Sequence, residues 1–346
     1  MNNQSFELLF SIFPQVTEKS LWILDENPPV NCPAANNHIE VISNRVDVVE
    51  QMQQRGFNAT FSDFSFDKLI NTGYQFVFFR ISKEKALAHH VINSAYQLLK
   101  SDGQLIISGA KQEGIKGYID RSSKRYLHVE TFKADKAHWA ARYKNTENPS
   151  TTLDDKDYPL IRESVEETHF KETVVFSSKP GVFGWNKIDR GSQLLIESLE
   201  MIENQLPAVK TILDIGCGYG YLSVLAAKKF NCSITATDNN AAAIETCRFN
   251  LNKQGIEHQV IAASCAKGIK EKFELVVCNP PFHTGFSVEN DLTDQFLKAA
   301  KQRLGHDGMA IFVVNLHIPL ERKALQYFDS VNLINESPNF KVIALK

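Results

Sequence analysis

Three short stretches of the chain carry residue types that suit one chemistry. "LDIGCGYG" sets Asp214, Gly216, Gly218 and Gly220 where an apolar run gives way to an amphipathic one. Glycines at such a junction permit a tight turn and let the backbone come close to a ligand. "CSITATD" ends in Asp238, about 20 residues beyond the glycines, where a carboxylate can accept both hydroxyls of a ribose. "VVCNPPF" closes a further apolar run with Asn279, Pro280, Pro281 and Phe282.

An asparagine followed by two prolines offers acceptors and few donors. Asn279 Oδ1 and the Pro280 carbonyl can each accept an N–H bond, and neither proline has an amide hydrogen to compete. Such a pair can pin an exocyclic amine whose lone pair is delocalised into its ring, and can aim that lone pair at an electrophile. The gain comes from positioning and electrostatics rather than from a strong base. Phe282 supplies a ring on which a planar target can stack. Each residue also has a plainer reading. The glycines suit a simple turn, Asp214 a loop-fixing acceptor, and Asp238 an N-cap for a helix from Asn240. Phe282 suits a core ring behind a proline-stopped strand. The chemical readings gain because the three stretches fall in order within one repeating unit. A second Asn-Pro-Pro, at Asn27 to Pro29, has no glycine loop before it and is followed by Val30, which has no ring. It reads as a turn.

The glycine spacing also separates two nucleotide ligands. A dinucleotide fingerprint asks for Gly or Ala at position 221, where Tyr221 stands. An acid followed by Gly-x-Gly-x-Gly suits S-adenosylmethionine, with Asp214 towards its methionine end and Asp238 at its ribose.

The elements that must hold these residues alternate. "VKTILDIG", "CSITATD", "HQVIAAS", "FELVVCN" and "MAIFVVN" read as strands, separated by helical stretches such as "YLSVLAAKKF" and a segment from about Asp291 to Leu304. This alternation predicts an α/β fold with a mostly parallel sheet. "SVNLINE" and "FKVIALK" are joined by Ser337, Pro338 and Asn339 alone, a link so short that it demands an antiparallel terminal hairpin. The first half repeats the pattern weakly. "YQFVFFRIS" and "SDGQLIISGAK" parallel "FELVVCNPPF" and "HDGMAIFVVNLH", and Arg80 falls where Asn279 sits. Arginine cannot accept a hydrogen bond, so the first copy lacks the acceptor. The expected organisation is a degenerate domain over 1–145, an acidic linker or lead-in over 146–170, and a catalytic domain over 171–346. The stretch from Lys111 to Lys144 is rich in base, with Tyr126, Trp139 and Tyr143 interleaved. It predicts an RNA grip in the first domain, with Lys124 and Arg125 on phosphates.

Composition sets the outer limits. The 346 residues are 43% hydrophobic and 23% charged, with a formal net charge of −2, ordinary for a globular protein of two domains. The six cysteines contain no Cys-x-x-Cys spacing, which predicts a reduced, cytoplasmic protein without a metal cluster. No apolar run approaches the roughly 20 residues that cross a bilayer.

"PGVFGWNKIDRGSQLL" (180–195), "LDIGCGYGYLSVLAA", "CNPPFHTGF" and "FKVIALK" together resemble the ribosomal RNA guanine-N2 methyltransferases of bacteria. The resemblance covers the second half nearly end to end. It implies two tandem Rossmann-like class I methyltransferase domains, each built on a seven-stranded sheet, with the first inactive. It implies methylation of guanine 1207 of 16S rRNA by S-adenosylmethionine, on a small-subunit ribosomal particle, by a monomer. The alternatives are a large-subunit guanine-N2 enzyme, or transfer to another planar nitrogen such as adenine N6 or a glutamine amide. Families of the latter kind more often carry Tyr at the place of Phe282. Within the resemblance, Asp189 of "KIDRGS" matches the family acid and is expected on the cofactor side. Ser264 takes the adenine position, usually Asp or Asn. Gly184 stands where the family has serine, which removes any hydroxyl role there.

Overall fold

The computed structural model of the chain describes residues 4–25, 29, 31–146, 151–170, 172–206, 208–281 and 286–346, and of residues 286–291 the backbone alone. It divides into two units, Met1–Leu160 and Ile161–Lys346.

The first unit runs α1 (Gln4–Phe10), β1 (Ser20–Leu24), β2 (Ile39–Ser43), α2 (Val46–Gln54), β3 (Asn58–Phe61), β4 (Tyr74–Arg80), α3 (Lys85–Leu98), β5 (Leu99–Ala110), α4 (Ile115–Ser122), β6 (Leu127–Lys133) and β7 (His138–Lys144). Every residue of β1 is buried, as a parallel strand covered on both faces requires. The second unit runs β8 (Arg162–His169), β9 (Glu172–Ser178), α5 (Arg190–Ile202), β10 (Thr211–Ile215), α6 (Tyr221–Phe230), β11 (Ser233–Asp238), α7 (Ala241–Lys253), β12 (His258–Ala262), β13 (Phe273–Cys278), α8 (Phe286–Arg303), β14 (Leu304–Asn315), α9 (Leu320–Ala324), β15 (Val331–Glu336) and β16 (Phe340–Leu345).

The two large sheets have one strand order. The first reads β3-β2-β1-β4-β5-β7-β6 and the second β12-β11-β10-β13-β14-β16-β15. In each, five parallel strands are followed by an antiparallel pair. The repeat is therefore carried strand for strand. The helices of the second unit cover both faces of its sheet. One core gathers Leu195, Leu199, Leu225 and Val277, and the other Leu213, Val276, Leu297 and Phe312.

Four expectations from the sequence meet a different structure. Within 146–170, expected as a linker or lead-in, the described residues 151–160 group with the first unit and 161–170 with the second. Leu153 N donates to Asn93 Oδ1 at 2.9 Å and the buried Tyr158 hydroxyl to Asp63 at 2.8 Å, so 151–160 is part of the first unit. Residues 162–169 form β8, paired with β9 in an antiparallel hairpin. Its acids look like linker charge because Glu163 and Glu166 are exposed while the two residues between them are half-buried. Arg125 is not a surface contact. It is 5% exposed, donates to the carbonyls of Asn93 at 2.7 Å and of Thr151, and lies over the Tyr96 ring. Tyr126 and Tyr143 are also core residues. Charge density along the chain cannot reveal that 151–160 folds back over this arginine. The helix expected from Asp291 begins earlier, at Phe286.

Candidate active site

The glycine loop, Asp238, Ser264 and Asn279 all emerge at the C-terminal edge of the second sheet. Ile215 pairs with Thr237 on one side and Cys278 on the other, and Asp238 pairs with Ala262. The residues that follow these strands therefore stand side by side, where open α/β sheets bind ligands. Gly216 N and Cys217 N both donate to Thr237 O, at 2.8 and 2.9 Å, which folds the loop back over β11. Gly216, Gly218 and Gly220 have φ of 85°, 54° and 90°, a region that disfavours side chains. A Cβ at Gly220 would meet Cys247 Sγ at 3.0 Å, whereas one at Gly218 would meet nothing within 4 Å. So Gly220 packs the loop onto α7 and Gly218 leaves room above the backbone.

Asp238 holds this loop as well as facing the crevice. Its carboxylate accepts from Gly218 N at 3.1 Å and from Asn240 N at 2.9 Å. The cap of α7 is Asn240, whose side chain accepts from Ala242 N. The plainer reading of Asp238 as N-cap is thus taken by its neighbour. Asp214 is fully buried beneath the loop and accepts from Ser223 Oγ at 2.5 Å. Its Oδ1 has no hydrogen-bond partner among the described residues. Burial, with the Asp238 charge as a lesser cause, pushes its carboxyl up to about 7. An orphaned buried oxygen, an open Gly218 and a carboxylate at the end of β11 fit an adenosyl group that carries positive charge at its other end. Ser264 opens a short turn just beyond β12, next to Asp238 across the sheet.

Asn279 is tied to α5. Its Nδ2 donates to Asp189 Oδ2 at 2.8 Å and to Ser192 Oγ at 2.8 Å. Asp189 is the N-cap of α5 and also accepts from Ser192 N at 2.8 Å. Asp189 Oδ2 thus joins the asparagine to the start of α5. Pro280 is buried beside it. Phe282 lies outside the described residues, as do Asn27, Pro28 and Val30 of the second Asn-Pro-Pro.

Asn250 of α7 and its N-cap Asn240 have roles the sequence does not announce. Asn250 donates to Ser177 O at 2.8 Å and Tyr219 O at 2.7 Å, and accepts from Ser177 N, which clamps the end of β9 to the glycine loop. Asn240 Nδ2 donates to Gly181 O at 2.8 Å. Together they lay the segment after β9 along the crevice. A polar residue repeated on an otherwise apolar helix face is the signal that could have found Asn250. Ser192, three residues after a capping aspartate, is the first-turn position whose N–H such a cap binds.

The site holds no activated thiol. Cys217 is pushed up by its hydrogen bond with Cys247 and by burial, and Cys278 by burial, so neither is a thiolate nucleophile. No cluster of His, Cys, Asp or Glu among the described residues is arranged to hold a metal ion. A cavity of about 970 Å³ lined by Phe170, Lys228, Cys232 and Glu257 opens at the opposite, N-terminal edge of the strands and contains none of the site residues.

A doubly covered parallel sheet with a terminal antiparallel pair, a glycine loop after its central strand and an Asn-Pro-Pro at the next define a methyltransferase. Residues 173–344 match the family model of the methyltransferase small domain. A ribosomal RNA small subunit methyltransferase C from Shewanella pealeana is 29% identical over 262 residues, covering 75% of this chain and 74% of that protein. One from Haemophilus influenzae is 31% identical over 176 residues, 51% of this chain and 52% of that protein. Among solved structures, the Thermus thermophilus 16S rRNA N2 G1207 methyltransferase, determined with AdoMet and guanosine, shares the fold. Its TM-score is 0.80 at 20% identity, over 95% of this chain and 88% of that one.

Proposed function

We propose that this protein methylates the exocyclic N2 of a guanine in 16S rRNA, with S-adenosylmethionine as donor. The observation that carries the reading is the placement of Asn279 and Pro280 at the end of β13, one strand from the glycine loop that follows β10. The names of the relatives support the substrate, and the guanosine bound by the Thermus thermophilus protein supports guanine 1207 as the target.

Asp238 and the loop from Gly216 to Gly220 would hold the adenosine half of the donor, with Ser264 at the adenine and Asp214 towards the methionine end. The bound sulfonium supplies an electrophilic methyl group. Asn279 Oδ1 and the Pro280 carbonyl accept the two hydrogens of the guanine amine. That fixes the nitrogen and disperses the positive charge that grows on it as the N–C bond forms and the C–S bond breaks. The methylated nitrogen is then acidic and gives its extra proton to water, so no strong base is required. A guanine stacked in a helix hides its amine, so the crevice takes a free or flipped base, and Phe282 is the ring assigned to stack on it.

The first unit serves as a grip on RNA and carries no second active site. Lys116, Lys133 and Lys111 place their ammonium groups 4.7, 5.5 and 5.8 Å from the centre of the Trp139 ring. Exposed bases around a half-buried aromatic suit a single-stranded backbone and its bases. Lys124 is exposed nearby in the chain and reaches phosphate, whereas the buried Arg125 does not. We further assign the substrate to a small-subunit particle and the protein to the cytoplasm as a monomer. No helix among the described residues is long and apolar enough to cross a membrane. Nucleoside analysis of small-subunit rRNA from cells lacking the protein, after incubation with protein and labelled donor, tests the reading. N2-methylguanosine is expected; label in N6-methyladenosine or in protein would overturn it.

A further inference from the structure

We infer that Asp189 and Ser192 are positioning residues that lock the Asn279 amide in one of its two orientations, with Oδ1 turned to the substrate. This rests on the methyl-transfer reading of the site and goes beyond it.

An asparagine amide is nearly symmetric in shape, and its two orientations differ only in which end donates. The proposed chemistry needs an acceptor facing the amine, so a flipped Asn279 would present two N–H groups to two N–H groups. Something must forbid the flip. Asp189 does so by charge. An ionised carboxylate accepts and never donates. Its Oδ2 lies 2.8 Å from Asn279 Nδ2. Flipping would bring two oxygens to that separation and place a partial negative charge against a full one. Ser192 Oγ takes the second Nδ2 hydrogen at 2.8 Å. Both donors are then used inside the protein, and Oδ1 is the atom left to face outward.

The lock is itself held. Asp189 Oδ2 accepts from Ser192 N at 2.8 Å as the N-cap of α5, where the positive end of the helix favours its charge. One oxygen thus joins the start of α5 to the end of β13. Gly191 lets this happen. A Cβ there would stand 3.1 Å from Asp189 Oδ2 and 3.1 Å from the Phe340 ring, tighter than side chains accept without moving. Ser192 is 8% exposed, so water does not readily replace its hydroxyl. The stretch Asp189-Arg190-Gly191-Ser192 therefore reads as cap, spacer, close approach and second acceptor.

A cap role alone and an orienting role predict different results for a charge exchange. Asp189→Asn keeps a side chain that caps helices well but removes the charge that forbids the flip. We expect kcat to fall roughly 10- to 100-fold, the size of loss that small misplacements near the chemistry produce. The cofactor Kd should stay within about twofold, since on this account Asp189 does not touch the cofactor. Asn279→Asp sets two carboxylates together and should lose activity. Adding Asp189→Asn to it restores a donor–acceptor pair and should recover at least about tenfold of the rate. Parent kcat in Asp189→Asn, a weaker cofactor Kd with unchanged kcat, or no recovery in the exchanged pair would each overturn the lock. Asn279→Ala turning over at the parent rate would instead overturn the methyl-transfer reading beneath it.

Discussion

Arg80 ends β4 at the position that Asn279 holds after β13, and its guanidinium is bonded to the Glu113 carboxylate. The registers agree: Phe79 pairs with Ile23 as Cys278 pairs with Ile215. The Arg80 and Glu113 side chains are 11% and 8% exposed, and Glu113 also accepts from Ala110 N at 2.9 Å. Where the second unit keeps an acceptor facing a crevice, the first closes the same edge with a buried ion pair.

That closure has a consequence for cofactor binding. Calorimetry should give one S-adenosylmethionine per chain, and Arg80→Asn should leave the number at one because no glycine loop follows β1. Glu113→Ala strands a buried arginine and should destabilise the first unit by about 3–5 kcal/mol. A second binding event in either protein would contradict the inactive-copy account.

Asp214 should make stability and cofactor binding depend on pH in opposite senses. Its carboxyl is raised from 3.8 to about 7 by burial. A group whose folded value lies above its unfolded one holds its proton more tightly when folded, so its contribution to stability declines as pH rises from about 4 to about 7. Relative to Asp214→Asn, the parent should therefore lose ground across that window, by on the order of 4 kcal/mol at most. A cationic ligand favours the ionised form, so cofactor affinity should rise across the same window with release of a proton. Calorimetry in buffers of different ionisation enthalpy reads that proton. Flat profiles in both would remove Asp214 from the cofactor's reach.

Asp238→Ala should weaken cofactor binding by about 1.5–3 kcal/mol, the value of a charge-assisted hydrogen bond. It also frees Gly218 N, which the carboxylate holds at 3.1 Å, so the loop should become more mobile in amide exchange. Unchanged affinity would count against the ribose contact.

Lys116→Gln with Lys133→Gln should weaken RNA binding and flatten its salt dependence by roughly 0.7–0.9 for each phosphate no longer neutralised. Cofactor affinity should not move. Arg125→Ala should behave otherwise. It removes buried bonds to Asn93 and Thr151 and should lower thermal stability before it touches RNA affinity. A double lysine variant with the parent's salt slope would place the RNA elsewhere.

The second unit was legible in the sequence because its signals are local. Asp214, Gly216 and Gly218 announce their turn, and the three residues between the last two strands force their antiparallel pairing. The repeat matched β4 and β5 to β13 and β14, and the two sheets share one strand order. What was missed depends on residues far apart in the chain. Asp189 and Asn279 are 90 positions apart, and nothing in "KIDRGS" says which partner the capping aspartate meets. Arg125 reads as surface charge until 151–160 folds over it. The β8–β9 hairpin was hidden because Glu163, Glu166 and the half-buried Glu167 crowd acid onto β8, and such a strand resembles a linker when only composition is weighed.

The central claim is that Asn279 acts on the acceptor amine and not on the cofactor. One measurement tests it most directly: single-turnover formation of N2-methylguanosine on small-subunit rRNA by Asn279→Ala, with the cofactor Kd taken on the same sample. The account predicts a rate reduced by at least roughly 10²-fold, the loss typical of removing one aligned acceptor or donor at a reacting centre, with a cofactor Kd close to the parent's. A parent-like rate, or a rate loss fully explained by a weakened cofactor Kd, would contradict it.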